Sequence, residues 1–64
     1  MTNEEKVTKE RDELAAKIKR LKNFMKSDAF KDMDHDDQVV MKVQKNAMQA
    51  YKSALDLRLF WGIY

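Results

Sequence analysis

The sequence predicts an all-α protein in which two long helices, joined by a short helical turn, form a hairpin. Two helix-length segments, Thr2–Lys26 and Asp34–Phe60, occupy most of the chain. There is no proline and the single glycine is Gly62, so neither segment contains a strong helix breaker. Apolar residues recur in both segments at the three- and four-residue spacing of one helix face. Because 64 residues make one domain at most, we expect a single helical domain over residues 1–64.

The first segment has a start signal and an apolar seam. Thr2 and Glu5 have the spacing of a capping box, in which two side chains satisfy free backbone N–H groups at a helix start. The seam follows a 4-3 heptad pattern, and its members are Val7, Arg11, Leu14, Ile18, Leu21 and Met25. Arg11 is the only charged member. It either sets the register of helix packing or binds an anionic group.

The second segment follows a short joint. Ser27 predicts the N-cap of a turn over Asp28–Met33, and Asp34 predicts the N-cap of the second helix. That helix carries two apolar ridges at seven-residue spacing, which are Val40, Ala47, Ala54 and Trp61 on one side and Met41, Met48 and Leu55 on the other. Gly62 predicts the end of the helix, because glycine tolerates the left-handed conformation of a C-terminal cap.

Two helices are too few to bury both apolar faces of this chain. A chain of this length buries only about 60% of its unfolded surface, and small scaffolds usually need disulfides, a metal or partners. There are no cysteines, so we expect copies of the chain to associate as a homo-oligomer. The tail Leu57–Tyr64 has three aromatics in its last five residues and predicts a contact surface. The alternative is that this tail folds back over the core of its own hairpin.

Charge and hydropathy exclude several classes of partner. The net charge is +2, whereas general nucleic-acid binders usually show a strong basic excess, so we expect no specific DNA or RNA partner. No apolar run approaches the roughly 18 residues of a membrane span, so we expect no membrane partner. The absence of cysteine fits a reducing cytosol.

The acidic run Asp32–Asp37 imitates the start of a calcium loop. Asp37 stands where that loop requires glycine, and Val43 stands where it requires a bidentate glutamate, so helix capping explains the run better. His35 is the only histidine, and no second histidine or thiolate is present to complete a transition-metal site. No serine or threonine has a plausible histidine base with an orienting acid. We therefore predict a protein that is not an enzyme and that carries no metal and no cofactor.

Basic side chains are the candidate ligand-binding groups. A basic patch near the end of the first helix could hold phosphates or could be a solvated helix end, and it comprises Lys17, Lys19, Arg20, Lys22 and Lys26. Arg58 lies on a polar row between the two ridges of the second helix. A buried guanidinium needs an anionic partner, which could be Asp56 of a neighbouring copy or a bound phosphate.

Two runs of residues carry a family resemblance that covers nearly the whole chain. They are Glu13-Leu14-x-x-Lys17-Ile18-x-x-Leu21-x-x-Phe24-Met25-x-Ser27-x-x-Phe30 and Ala47-Met48-x-x-Tyr51-x-x-x-Leu55-x-x-Arg58-Leu59. They resemble a family of short phage proteins that includes the anti-CBASS cyclic-oligonucleotide sponges. The resemblance implies a compact hexamer of helical protomers. It also implies that the hexamer sequesters, without cleaving them, the cyclic nucleotide signals of a bacterial anti-phage system in the host cytoplasm.

The resemblance also implies two types of site at protomer interfaces. One takes cyclic dinucleotides through a Tyr-Asn pair and a lysine, to which Asn3 and Lys17 correspond; Thr2 stands in place of the aromatic residue. The other takes cyclic trinucleotides near a three-fold axis through a late arginine, to which Arg58 corresponds, and Lys19 could assist there.

Three functional hypotheses remain, and they predict different observations. A sequestering protein binds cyclic oligonucleotides tightly between subunits. A helical oligomeric interaction module retains one stoichiometric host protein and no nucleotide. A nucleic-acid binder that uses the patch Lys17–Lys26 shows a steep dependence on salt, and the near-neutral charge ranks it last.

Overall fold

A computed structural model of residues 1–64 shows three helices and no strand. Helix α1 spans Asn3–Met25, the four-residue helix α2 spans Asp28–Lys31, and helix α3 spans His35–Trp61. Helices α1 and α3 pack against each other as a hairpin, and α2 forms the joint between them. The predicted all-α hairpin is confirmed. None of the helices combines the length and the apolar character that crossing a membrane requires.

The caps at the two ends of the chain explain where α1 begins and where α3 ends. The hydroxyl of Thr2 accepts from the backbone N–H of Glu5 at 3.1 Å and donates to the Glu5 carboxylate at 3.2 Å. The predicted capping box is therefore modified, since the Glu5 side chain binds the hydroxyl of Thr2 and not its backbone N–H. At the other end, Gly62 has a φ of 68°, and the N–H of Ile63 donates to the carbonyl of Arg58 at 2.8 Å. This hydrogen bond belongs to a Schellman motif, which Gly62 makes possible.

The joint is held to α1 by a serine and two aromatic rings. The hydroxyl of Ser27 accepts from the N–H of Phe30 and donates to the carbonyl of Phe24, as expected of an N-cap. The Phe24 and Phe30 rings meet edge to face with centroids 6.2 Å apart. Phe30 is buried, so the short α2 covers the apolar end of the hairpin.

A glutamine that the sequence analysis did not single out ties the joint to α3. The side-chain nitrogen of Gln38 lies 2.9 Å from the carbonyl oxygen of Phe30, 3.3 Å from that of Lys31 and 3.2 Å from that of Met33. Phe30 and Lys31 are the last residues of α2 and Met33 follows it, so these carbonyls lack the partner four residues on that a helix interior supplies, although that of Phe30 also accepts from the N–H of Met33 at 3.1 Å. Asp34 occupies the predicted N-cap position of α3, but its side chain makes no capping hydrogen bond. Gln38 therefore supplies the side-chain hydrogen bonds that hold this joint to α3, as Ser27 supplies those at its α1 side.

The core of the hairpin is small, because it has only one apolar interface. Four of the 64 residues are buried, namely Val7, Ile18, Phe30 and Leu55. Leu55 belongs to the ridge whose other members, Met41 and Met48, are half-buried against α1. The second ridge of α3 is exposed along its length, and its first member Val40 is 63% exposed.

The chain is a rod. Its radius of gyration is 14.4 Å and its extents are 43 × 16 × 14 Å. A compact domain of this length has a radius of gyration of about 11 Å. The aromatic tail does not fold back over the core: Phe60 and Trp61 are 80% and 64% exposed. The fold-back alternative is therefore wrong. Self-association remains a prediction, now with a defined exposed surface.

We expect Gln38→Glu to lower the free energy of unfolding by about 1–2 kcal/mol, because the carboxylate cannot donate to the joint carbonyls that Gln38 binds. The matched control is Gln44→Glu, which changes an exposed glutamine of the same helix that makes no hydrogen bond. Urea unfolding followed by circular dichroism measures both variants. Equal losses in the two variants would contradict the role assigned to Gln38.

Candidate functional site

One groove runs along the hairpin between α1 and α3. It is open to solvent and has a volume of about 630 Å³. Nine residues line it: the lysines Lys19, Lys22, Lys26 and Lys52, the neutral polar residues Asn23, Gln49 and Ser53, and the apolar residues Ala15 and Ile18. No acidic side chain is among them. The groove is therefore a surface of cations and neutral polar groups over an apolar floor.

Helical spacing explains why these residues meet. Lys19, Lys22 and Lys26 follow one another at three- and four-residue intervals, which places them on one face of α1. Gln49 and Lys52 have the same spacing on α3. The buried side chain of Ile18 packs the two helices together beneath these faces, so that the polar side chains flank a shared depression.

An ion-pair network begins at Lys52 of the groove and extends to Asp56 and Arg11. The Nζ of Lys52 lies 2.9 Å from one carboxylate oxygen of Asp56, and an Arg11 nitrogen lies 3.4 Å from the other. A second Arg11 nitrogen lies 2.9 Å from the carboxylate of Asp12. The hydrogen bond from Lys52, followed by the one from Arg11, holds the pKa of Asp56 below its ordinary value. The anionic partner of Arg11 therefore lies within the same chain, and the pair links α1 to α3.

The three lysines from α1 have no such partner. Lys19, Lys22 and Lys26 make no ion pair with any carboxylate of the chain. Lys19 and Lys26 are seven residues apart, which is about 10 Å along the helix axis. Like charges this close on a helix repel one another, and a bound anion removes that repulsion. The arrangement therefore favours a ligand that carries more than one negative charge.

Only part of the predicted basic patch lines the groove. Lys19 lines the groove together with Lys22 and Lys26, whereas Lys17 and Arg20 do not. Residues two apart on a helix point about 200° away from each other, which explains why Lys17 and Lys19 lie on different sides of α1. Of the predicted ligand-binding residues, only Lys19 is part of the groove.

The other predicted site residues lie on a second side of the hairpin, which we call the Tyr51 side. The Tyr51 hydroxyl donates to the carboxylate of Glu10 across the two helices. Asn3 and Lys17 lie seven residues before and after Glu10, and Arg58 lies seven residues after Tyr51. A seven-residue interval nearly completes two helical turns, so these residues share that side.

Within one copy these residues are far apart. Asn3 and Lys17 are fourteen residues apart on α1, which is about 21 Å along the axis. Because the helices are antiparallel, Arg58 lies toward the Asn3 end, and Lys17 lies toward the opposite end. One copy therefore does not bring Lys17 together with Asn3 or Arg58, and a shared site would need a second copy.

Arg58 is half-buried and not fully buried, and it has no carboxylate partner. Its Nε donates to the carbonyl oxygen of Ile63 at 3.1 Å. Asp56, which we predicted as a possible partner from a neighbouring copy, binds Arg11 and Lys52 of its own chain. Residues two apart on a helix do not face each other, so Asp56 and Arg58 serve opposite sides of the hairpin.

Sequence reasoning missed Lys52 and the neutral polar residues of the groove, Asn23, Gln49 and Ser53. The available signal was the i,i+4 pair of Lys52 and Asp56, which marks a polar face of α3 next to the apolar ridge. Patterns of apolar residues do not show such a face. Throughout the chain, no three acidic, histidine or cysteine side chains lie close enough to hold a metal ion.

A comparison with known families gives one match. A family model described as Sequestin matches residues 1–60, which is nearly the whole chain. No curated protein and no solved structure is significantly similar to the chain.

We expect the stability of the hairpin to fall with pH above 10.0 through Tyr51. The hydrogen bond to Glu10, aided by partial desolvation of the phenol, raises the pKa of Tyr51 above its ordinary value of 10.0, although the residue is 46% exposed. The stabilisation is fully present below 10.0 and is lost as the pH rises through the higher pKa of the folded state. Urea unfolding at a series of alkaline pH values measures how the free energy of unfolding depends on pH.

Tyr51→Phe removes the pH-dependent stabilisation by the hydrogen bond to Glu10. The control variant Tyr64→Phe retains this stabilisation. An identical alkaline loss of stability in the wild type and in Tyr51→Phe would show that the contact with Glu10 does not stabilise the folded chain.

Proposed function

Because this chain belongs to the Sequestin family, we propose that it is a phage counter-defence protein that binds and sequesters cyclic nucleotides. The family match confirms the resemblance found in the sequence, and the family name points to sequestration and therefore to binding without chemistry. The proposed ligands are the cyclic di- and trinucleotide messengers of CBASS immunity, held uncleaved in the host cytoplasm. The observation that carries the proposal is the groove with its three unpaired lysines.

The chemistry of the groove suits such a ligand. A cyclic dinucleotide or trinucleotide has two or three phosphates and the same number of flat bases. Lysine ammonium groups bind phosphate as point charges, and Asn23, Gln49 and Ser53 offer neutral hydrogen-bonding groups. The apolar floor at Ile18 can contact a base. The volume of about 630 Å³ lies within the range of small-molecule sites.

The Tyr51 side supplies the second part of the proposal, which concerns sites between copies. We assign Asn3 and Lys17 to a dinucleotide site and Arg58, with Lys19, to a trinucleotide site, as the family resemblance implies. Lys17 and Arg58 lie seven residues from the contact of Glu10 with Tyr51 in opposite directions, so about 21 Å separates them along the axis, which supports two sites. It also supports a homo-oligomer, for which we propose a hexamer, since each site then draws residues from several copies.

We expect calorimetry with a panel of cyclic di- and trinucleotides to find at least one ligand with a Kd well below about 10 μM, which corresponds to about −7 kcal/mol. In the variant Lys19→Gln/Lys22→Gln the affinity for that ligand falls by about 100-fold, since each lost charged hydrogen bond weakens binding roughly tenfold. After heat denaturation of the complex, chromatography recovers the ligand uncleaved.

The control is Lys6→Gln/Arg20→Gln, which removes the same charge from exposed residues of α1 outside the groove. It leaves the affinity within about twofold, because neither side chain lines the groove and exposed charges are screened by salt. The absence of any ligand tighter than about 10 μM would overturn the function. Equal losses in both double variants would instead show that the groove is not the site.

A separate expectation concerns the Tyr51 side. Lys17→Gln lowers the affinity for cyclic dinucleotides by about tenfold and leaves that for cyclic trinucleotides unchanged. Arg58→Gln lowers the affinity for cyclic trinucleotides by the same factor and leaves that for cyclic dinucleotides unchanged. The physical reason is that each variant removes one charged hydrogen bond from one site only. Titrations of both variants with both ligand classes measure the effect. Parallel losses for both classes, or no loss in either variant, would contradict the assignment.

The exposed tail favours a second candidate function, a helical oligomeric interaction module that binds a host protein. Phe60, Trp61 and Ile63 are 80%, 64% and 60% exposed, and such apolar patches mark contact sites. This function predicts one stoichiometric host protein that co-purifies with the chain while no nucleotide is retained. Native mass spectrometry of protein from infected cells separates the two candidates.

A further inference from the structure

Helix α3 carries a second apolar seam that faces away from α1. The seam consists of Val40, Val43, Ala47, Ala50, Ala54, Leu57 and Trp61, and we call it the outer seam. All of its members are exposed, and the largest of them, Trp61, is 64% exposed. The intervals alternate between three and four residues, which is the pattern of a coiled-coil seam.

The dimensions of the outer seam define what can cover it. It runs over 22 residues of a straight 27-residue helix, or about 32 Å, so the occupant is itself a long helix. The small residues Ala47, Ala50 and Ala54 occupy the centre, and small side chains allow two helix axes to approach to about 8 Å. Within this chain only α3 presents such a face, since the outward face of α1 carries Lys6, Glu13 and Arg20.

The charges that flank the outer seam select one orientation. Asp37 lies at the start of α3 and Arg58 lies near its end, on the same flank of the seam. Neither side chain has an ion-pair partner within the chain. A parallel arrangement places like charges at the same level and aligns the helix dipoles, whereas an antiparallel arrangement places Asp37 of one copy beside Arg58 of the other and opposes the dipoles.

We infer that the outer seam binds the outer seam of a second copy in an antiparallel α3–α3 pair. The layers of this pair join Val40 to Leu57, Val43 to Ala54 and Ala47 to Ala50 of the second copy. In the same register Asp37 of one copy lies within two residues, about 3 Å along the axis, of the level of Arg58 of the other. The contact is isologous, so it has two-fold symmetry and closes on itself.

The pair has a consequence for the proposed binding sites, and this step rests on the proposed function. In one copy Lys17 and Arg58 are separated by about 21 Å along the axis. Lys17 lies level with Gln44, because each is seven residues closer to the joint than the contacting pair Glu10 and Tyr51. In the antiparallel register Arg58 of the second copy lies level with Val39, which is five residues, about 8 Å, from that level. The pair therefore more than halves the axial separation of the two cations.

Cysteine cross-linking tests the pairing and its direction without any ligand, because the natural chain has no cysteine. Val43→Cys and Ala54→Cys are prepared as separate chains of different mass. We expect oxidation of the mixture to give a disulfide between the two chains, while neither variant links to itself. The control mixture of Val43→Cys with Lys52→Cys, a residue of the groove, gives none.

Two results would overturn the inference. Self-linked Val43→Cys would indicate a parallel pair, and a mixture with no disulfide would show that the outer seam does not meet itself. A second measurement does not depend on disulfide geometry. Ala50→Glu places a charge at the centre of the seam and halves the assembly mass in sedimentation, whereas Ala16→Glu, an exposed alanine of α1, leaves the mass unchanged.

An unchanged mass in Ala50→Glu would also overturn the inference. Failure of the pairing with intact ligand binding would leave the groove and the proposed function standing. Intact pairing in a protein that binds no cyclic nucleotide would support the α3–α3 pair and overturn the proposed function.

Discussion

The hairpin has one apolar interface and more apolar surface than that interface can cover. Helix α3 carries a ridge that packs on α1 and a second seam on its opposite side, and only four residues of the whole chain are buried. The chain has no further long helix that could cover the remaining seam, since α2 has only four residues. The rod shape, the exposed aromatic tail and the separation of cations onto two sides all follow from this arrangement. A chain built in this way gains most of its further stability by contact with another molecule.

Local signals in the sequence determine the helix bounds well. The caps at Thr2, Ser27 and Gly62 act over a few residues, so the sequence shows them without any knowledge of packing. The joint is different. Gln38 binds carbonyl groups five to eight residues before it, and this contact exists only once α2 and α3 have taken their relative positions. No pattern of residue types in the sequence predicts the contact between Gln38 and these carbonyls.

The groove could be predicted only in part for the same physical reason. The lysines of α1 stand out as a basic patch, but which of them face α3 depends on the packing register of the hairpin. Leu55 in the core and the pair of Arg11 with Asp56 fix that register. The register brings Lys52 beside the patch and turns Lys17 away from it. Asp56 neutralises cations at one end only, which leaves the remaining lysines to attract an anion.

The reciprocal contact between Arg58 and Ile63 prepares this arginine for recognition. The backbone N–H of Ile63 donates to the Arg58 carbonyl, and the Arg58 Nε donates to the Ile63 carbonyl. Neither terminal nitrogen of the guanidinium makes a hydrogen bond within the chain, so the planar fork is available to an anion from outside it, either a phosphate or the Asp37 carboxylate of a paired copy. A long side chain that is already restrained loses less conformational entropy when it meets a ligand. The turn at Gly62 thus lets the C-terminal residues hold the Arg58 side chain in place before an anion binds.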